Sequence, residues 1–466
     1  MPQPGLSSTD PKLLIDWDGS GSFESDEDAF PDTVRPILAT RGRSTLGLPY
    51  DPSIVGKLST ELRDLPKYQV DSSLRASVEA GHENLKVKLQ VAGQDVWSGR
   101  LSSIVPRLST TEGRVIGIEA EGPLGYLEKA DIEGYESITN ESIGARAERL
   151  VDNVPGVSIT VDSELKGSAW NIGTWWPTSS LSVLSAVREL EEAAVGFMFE
   201  LKGGDIRLAS QAARQSAGAP VLDYTADDII EFSVSDELDS VANIIRVPLY
   251  TFGTSVSQTI ADETLDILLP ASGEAVLEID GPGEGVASWG AVTVTPGTVR
   301  GVLSEQDFRK AKLTLSGAGG TRVTRVRVQG QPVNVKRTLR VPVEDSTSKT
   351  RYGPKEYDGV ANVFDDYNNA LTYANRRLVL TKEPRTSPTF KVLPKASEVA
   401  LIDLGKLITV RTLTNLNLTV FVERLHWEVG KAHATVTITG SLGNAFTSTL
   451  ILNSVTRGVL GTFKLA

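Results

Sequence analysis

Val96-Trp97-Ser98-Gly99-Arg100-Leu101, followed by Val115-Ile116-Gly117-Ile118-Glu119-Ala120-Glu121-Gly122-Pro123-Leu124-Gly125, has an echo near the other end of the chain. There Val420-Phe421-Val422-Glu423-Arg424-Leu425 precedes Ala434-Thr435-Val436-Thr437-Ile438-Thr439-Gly440-Ser441-Leu442-Gly443. Each copy reads as an aromatic strand ending in Arg-Leu, a loop, an alternating strand, and a Gly-x-Leu-Gly stop. Apolar residues at every second position line one face of a strand, so both ends predict half-buried sheet. Two antiparallel hairpins of any all-β protein share this much. If the echo is a true duplication, the chain holds two related barrels separated by inserted modules.

Working outward from the first copy, Leu85, Val87, Leu89 and Val91 alternate as well, and residues 1–128 read as a first β-barrel domain. The period then changes. Ile143, Ala147, Leu150 and Val151 fall on one helical face, with Asn140 or Thr139 as the expected N-cap. Val157 to Val161 reads as a strand, Ser180 to Ala193 as a helix, and Phe197 to Leu208 as a hairpin around Gly203-Gly204. Residues 129–212 therefore form a small α/β module, and 213–250 a linker with the start of a second β region. Residues 251–336, rich in Gly, Thr, Ser and Val, suit an inserted β-sandwich. Residues 337–385 carry one long helix, expected from Gly359 to Leu380 and stopped by Pro384. Residues 386–466 are a second β-barrel domain. The fold class is mostly β with an α/β insertion.

A chain of 466 residues is long enough for about three or four domains. Its formal net charge of -12 argues against nucleic-acid binding, since phosphate affinity rests on Lys and Arg. Without cysteine there is neither a disulfide framework nor a thiolate metal site. No run of about 18 apolar residues and no basic-then-apolar leader is present, so neither a membrane span nor a signal peptide is expected.

One stretch has the donor pattern of a calcium loop. Asp16, Asp18, Ser20, Ser22 (through its carbonyl), Glu24 and Glu27 occupy its six ligand positions, with Gly21 at the turn and Phe23 as apolar anchor. The flanks do not fit an EF-hand: Leu13-Leu14-Ile15 reads as strand and Phe30-Pro31 interrupts any following helix. A structural calcium ion and a solvated turn whose Asp and Ser bond their own backbone both satisfy this pattern. His426 and His433 are placed to face each other across a hairpin, and His82 reads as a turn residue; none has the carboxylate neighbours of a zinc site. No nucleophile elbow, phosphate loop or metalloprotease motif occurs. Glu191-Glu192 and Asp227-Asp228 read as solvated charges, so no catalytic residue and no organic cofactor is expected. Trp170, Trp175 and Trp176 fit either a sugar-binding shelf or packing beneath the next helix.

Taken in order, these features resemble the minor tail or baseplate hub (tail-tip hub) proteins of long-tailed bacteriophages. The carrying stretches are Ile15-Asp16-Trp17-Asp18, Arg41-Gly42-Arg43, Trp97 to Leu101, Trp175-Trp176, Phe199 to Leu208 and Ala242-Asn243-Ile244-Ile245-Arg246. Ser348 to Gly353, Asp403-Leu404-Gly405-Lys406-Leu407-Ile408 and Gly458-Val459-Leu460-Gly461 complete the series, and 251–336 departs most. The resemblance implies a non-enzymatic virion protein at the tail tip, assembled in the host cytoplasm. It implies a homotrimeric ring in which two tube-like barrels per chain imitate six tube subunits. Its partners would be the tail tube, distal tail and fibre proteins and the tape-measure protein, with DNA passing through unbound. A receptor-binding adhesin and a tail-associated cell-wall hydrolase are the competing functions.

Overall fold

The computed structural model describes residues 10–17, 19–24, 27–43, 50, 52–65, 85–109, 113–132, 141–173, 181–211, 218–282, 285–304, 306, 310–360, 363–411 and 417–442. Strand is the dominant state among them. Strands β1 (Lys12–Ile15), β2 (Ile37–Arg43), β3 (Ser53–Arg63), β4 (Lys86–Val91), β5 (Gln94–Ser109) and β6 (Gly113–Glu121) form a sheet in the order β1-β4-β5-β6-β3-β2. Their alternation places Leu13, Ile15, Val87, Leu89, Trp97, Ile116, Ile118 and Ala120 in the core. β5 starts at Gln94, before Trp97. Ala92 and Gly93 form a two-residue turn with φ of 52° and 71°, the mirror-image geometry that matches the twist of a hairpin.

The α/β module follows, with β7 (Glu141–Ser142), β8 (Ile159–Val161), β9 (Asn171–Ile172), β10 (Phe197–Glu200) and β11 (Ile206–Ala209). The expected hairpin is present as β10 antiparallel to β11, and β11 runs parallel to β8. Both helices start later than expected. They span Ile143–Asp152 and Val183–Ala193, because Ser142 and Ser182 accept the N–H groups of Ala145 and Ser185 and so cap the first turns. Their apolar faces meet in a second core with Leu124, Leu127, Met198, Ile206 and Leu208.

β12 (Leu222–Tyr224) and β13 (Ile229–Glu237) lead into the inserted region, β14 (Ile244–Thr254), β15 (Gln258–Leu268), β16 (Glu274–Asp280), β17 (Val286–Thr295), β18 (Arg300–Ser304), β19 (Lys310–Ser316) and β20 (Arg322–Glu344). β20 is a 23-residue strand that pairs with β15 and β17 at one end and β14 at the other. A third core of Ile279, Leu313, Leu315, Val323, Val326 and Val328 fills this region. After β21 (Glu356–Asp358), the long helix runs Tyr367–Thr381, starting eight residues beyond Gly359. Asp366 caps it by accepting from Asn368 and Asn369, while Val360, Val363 and Phe364 are buried ahead of the helix and not along it.

The remaining strands are β22 (Arg385–Val392), β23 (Leu407–Arg411), β24 (Asn417–Val429) and β25 (Ala434–Leu442). With β12 and β13 they form a second sheet in the order β12-β23-β24-β25-β22-β13. This is the first sheet's order strand for strand, and the sequence echo has a matching register. Arg100 faces Glu121 and Leu101 faces Ala120 between β5 and β6; Arg424 faces Thr439 and Leu425 faces Ile438 between β24 and β25. One difference stands out: β1 is antiparallel to β4, whereas β12 is parallel to β23. The two sheets are joined edge to strand, with β2 pairing β24 from Ile37↔Val429 to Gly42↔Arg424, so both line one continuous core.

Candidate assembly site at the seam between the sheets

β24 outruns its neighbour β23. β23 covers residues 417–421 of one edge, and β2 takes residues 424–429 of that edge while β25 holds the other. The seam requires a glycine at its end. Gly42 has φ +115°, and a Cβ there would lie 2.1 Å from the Glu423 carbonyl oxygen. A register shift on each side, between Thr40 and Gly42 and between Val422 and Arg424, marks where the strands bend into each other.

Charged side chains lock the seam to the rest of the chain. Arg41, buried on β2, donates from Nη1 to the Glu200 carbonyl at 2.9 Å and from Nη2 to Asp403 Oδ1 at 3.0 Å. Arg43 donates to Glu191 Oε1 at 3.1 Å and to the Gly196 carbonyl at 2.9 Å, with its guanidinium 4.8 Å from the Phe197 ring centre. Glu191 also accepts from the Tyr50 and Ser53 hydroxyls and the Met198 N–H. Burial, then the Glu191 charge, raise the Tyr50 phenol well above its ordinary range. Two regions far from β2 in sequence, residues 191–200 and Asp403, are thus pinned to it. On the opposite face Thr40 Oγ1 and His426 Nδ1 lie 2.7 Å apart. Burial, then the nearby Arg424 charge, lower the His426 pKa.

Glu200 is a carboxyl buried beside the seam. Its side chain fills the space above Gly56 and Gly122, where an added Cβ would come within 2.0 and 2.3 Å of the carboxylate. Burial pushes its pKa up to about 7, against the opposing pull of the Leu124 and Gly56 N–H groups and the Arg41 charge. Leu124 N–H donates to Oε1 at 3.0 Å.

The sequence-predicted sites are distributed differently. In the acidic loop, Asp18 lies outside the described residues. Asp16 is buried and accepts the Gly21 N–H at 2.8 Å. Glu27 is also buried, and its two oxygens accept from Trp17 N–H at 2.9 Å and Glu24 N–H at 2.8 Å. Ser20 and Ser22 bond each other, and Lys86 Nζ donates to the Gly21 carbonyl at 3.1 Å. No group of three His, Asp or Glu placed to hold a metal occurs among the described residues.

Glu191-Glu192 is not a solvated pair. Glu191 is fully buried, and Glu192 accepts from the hydroxyls of Tyr357 and Tyr373. His426 faces Thr437 across the hairpin, and His433 stands in the turn, so the two do not oppose each other. Trp170 is buried with the Arg376 guanidinium 4.1 Å above its ring; Trp175, Trp176 and His82 lie outside the described residues. Arg41, Glu200 and Asp403 were invisible as a site in the sequence. The one signal is at Glu200, a charge inside the otherwise apolar run Phe197-Met198-Phe199-Glu200-Leu201.

No helix among the described residues is long and apolar enough to cross a membrane. No protein-family model matches the sequence, and no curated protein matches it. Solved structures do. The 43 kDa tail protein of prophage MuSo2 from Shewanella oneidensis aligns over 94% of this chain and 99% of its own, with TM-score 0.52 and 11% identity. A tail protein from Neisseria meningitidis MC58 aligns over 93% and 96%, with TM-score 0.53 and 10% identity. Along almost its whole length, this chain has the fold of these two tail proteins.

Proposed function

We propose that this chain is a structural protein of a phage tail, a tail-tip hub that forms a threefold ring and continues the tail tube as part of the DNA conduit. The carrying observation is the duplication of the six-stranded order within one chain, with matching register in the hairpins β5–β6 and β24–β25. A closed ring presents the same patch from every subunit. Three chains with two equivalent sheets each offer six similar patches upward while remaining threefold below, which bridges a sixfold tube to a threefold tip. The fold shared with two tail proteins supports the same reading. The net charge of -12 suits a conduit from which like-charged DNA slides without sticking. On this reading the chain is not an enzyme. Its partners are further copies of itself, the tail tube and other distal tail proteins, and its place is the virion tail, assembled in the host cytoplasm.

Light scattering on the purified chain, alone and mixed with tail-tube protein, tests this. A mass of three chains is expected in at least the mixture, and a chain that stays single in both overturns the ring.

A further inference from the structure

We propose that neighbouring copies join by adding β13 of one chain to the half of β5 that outruns β4 in the next, repeating between molecules the β2–β24 seam built within each chain. This rests on the ring reading above. The two sheets correspond strand for strand, so β2 matches β13 and β24 matches β5. β2 lies on the half of β24 that outruns β23. β5 likewise outruns β4, which pairs it as far as Arg100, and the Leu85 carbonyl accepts the Leu101 N–H at 2.9 Å just beyond, while β6 holds the opposite edge to Ser109. Among the described residues no strand pairs that remaining edge of β5, and none pairs β13 on the side away from β22. Among the described residues, one copy of the contact is therefore made and the two halves of a second copy are unpaired, one on the terminal strand β13 and one on β5, two strands in from the other end of the sheet.

Matching the strands through their shared partners fixes the expected register. Lys57 and Thr389 occupy equivalent places opposite Glu121 and Thr439, which makes Thr40 equivalent to Ser233 and Ala39 to Phe232. Across the bulge after Leu101, Ser103 is equivalent to His426 and Ile104 to Trp427. The intermolecular pairs are then Phe232 with Ile104 and Ser233 with Ser103, ending before Leu101, whose N–H is already taken by the Leu85 carbonyl.

The side chains suit that register. In the built seam, the core-facing residues Ala39, Arg41, Leu425 and Trp427 are buried. Their counterparts Phe232, Val234, Leu101 and Ile104 are only partly buried against the same core, the state of a seam lacking its second strand. Ile230 and Val105, near the outer end, are 51% and 40% exposed. Glu231 and Arg107 fall diagonally on one face in this register, opposite charges across the joint. An exposed strand edge of this length invites pairing, and a second copy of the chain is the partner that carries the complementary edge.

The chain has no cysteine, so a designed disulfide reports this contact alone. Directly opposed residues of an antiparallel pair lie within disulfide reach. The Ser103→Cys/Ser233→Cys variant, assembled with tail-tube protein and oxidised, is expected to run on a non-reducing gel as a ladder ending at three chains. Reductant should collapse it, and the off-register Leu108→Cys/Ser233→Cys variant should stay single. Rings of three by light scattering without in-register cross-links overturn this interface and leave the ring reading standing. Equal cross-linking of both variants also overturns it. A chain that remains single and uncross-linked throughout overturns both.

Discussion

The Arg41 guanidinium donates to Asp403 at 3.0 Å across 362 residues of sequence, tying β2 of the first sheet to the approach of β23 in the second. Its other nitrogen binds the Glu200 carbonyl, so one side chain holds three segments. Removing one partner of a buried ion pair leaves the other uncompensated and typically costs about 3–5 kcal/mol. Arg41→Met is expected to lose stability on that scale in urea unfolding followed by tryptophan fluorescence. Arg41→Lys should recover only part of it, because an ammonium cannot reproduce two donors in a fixed fork. Asp403→Asn should lose less, since it keeps an acceptor for Nη2. Equal stability of Arg41→Met and the parent would remove the pair from the account of the seam.

Gly42 and Gly93 make a controlled comparison. Both have positive φ, but an added Cβ at Gly93 meets nothing within 4 Å, whereas at Gly42 it would overlap the Glu423 backbone. Ala at Gly93 should cost about 1 kcal/mol, the ordinary penalty of left-handed backbone. Ala at Gly42 must part β2 from β24 and should cost several times more. Limited proteolysis checks this: Gly42→Ala is expected to be cut between the two β domains under conditions that leave Gly93→Ala whole.

Strand existence was legible in the sequence because burial of one sheet face enforces period two, as in Leu85 to Val91. The echo was legible for the same reason twice over, and the matching registers at Arg100 and Arg424 give it structural content. Helix starts were misplaced because caps compete locally. Ser142 and Asp366 each present an acceptor to free N–H groups, and several neighbouring polar residues offer the same chemistry on paper. The seam was illegible. What makes Glu191 and Glu200 buried residues is Arg43, Tyr50 and two cradling glycines, none of them near in sequence.

The acidic loop yields a prediction that separates an ion site from a self-closed turn. Glu27 already accepts two backbone N–H groups, and Lys86 supplies a positive charge to the loop. Charge-assisted hydrogen bonds to a buried carboxylate contribute about 1.5–3 kcal/mol each way of counting. Glu27→Ala is therefore expected to lower the melting temperature by the same amount in calcium and in chelator. Calorimetric titration with calcium, using Asp16→Ala as control, provides the opposite outcome: heat in the parent that vanishes in the control would make the loop a metal site.

Glu200 predicts the direction of pH dependence. Burial raises its folded pKa to about 7 from an ordinary 4.5, so between those values the folded chain binds a proton that the unfolded chain has released. Stability contributed by the neutral carboxyl is complete below the unfolded value and is lost as pH rises through the folded one. A shift of this size corresponds to a loss of about 3 kcal/mol across the window. Glu200→Gln keeps an acceptor for the Leu124 N–H and cannot ionise. Urea unfolding at pH 4.5 and pH 8 is expected to show the parent losing more stability than the variant over that interval. Glu189, whose pKa burial also raises to about 7, adds a slope of the same sign to both proteins and cancels in the difference. Parallel profiles would mean that Glu200 is ionised without penalty, through water or rearrangement at Gly56 and Gly122. A parent that gained stability with rising pH relative to the variant would place a cation beside Glu200 stronger in effect than its burial.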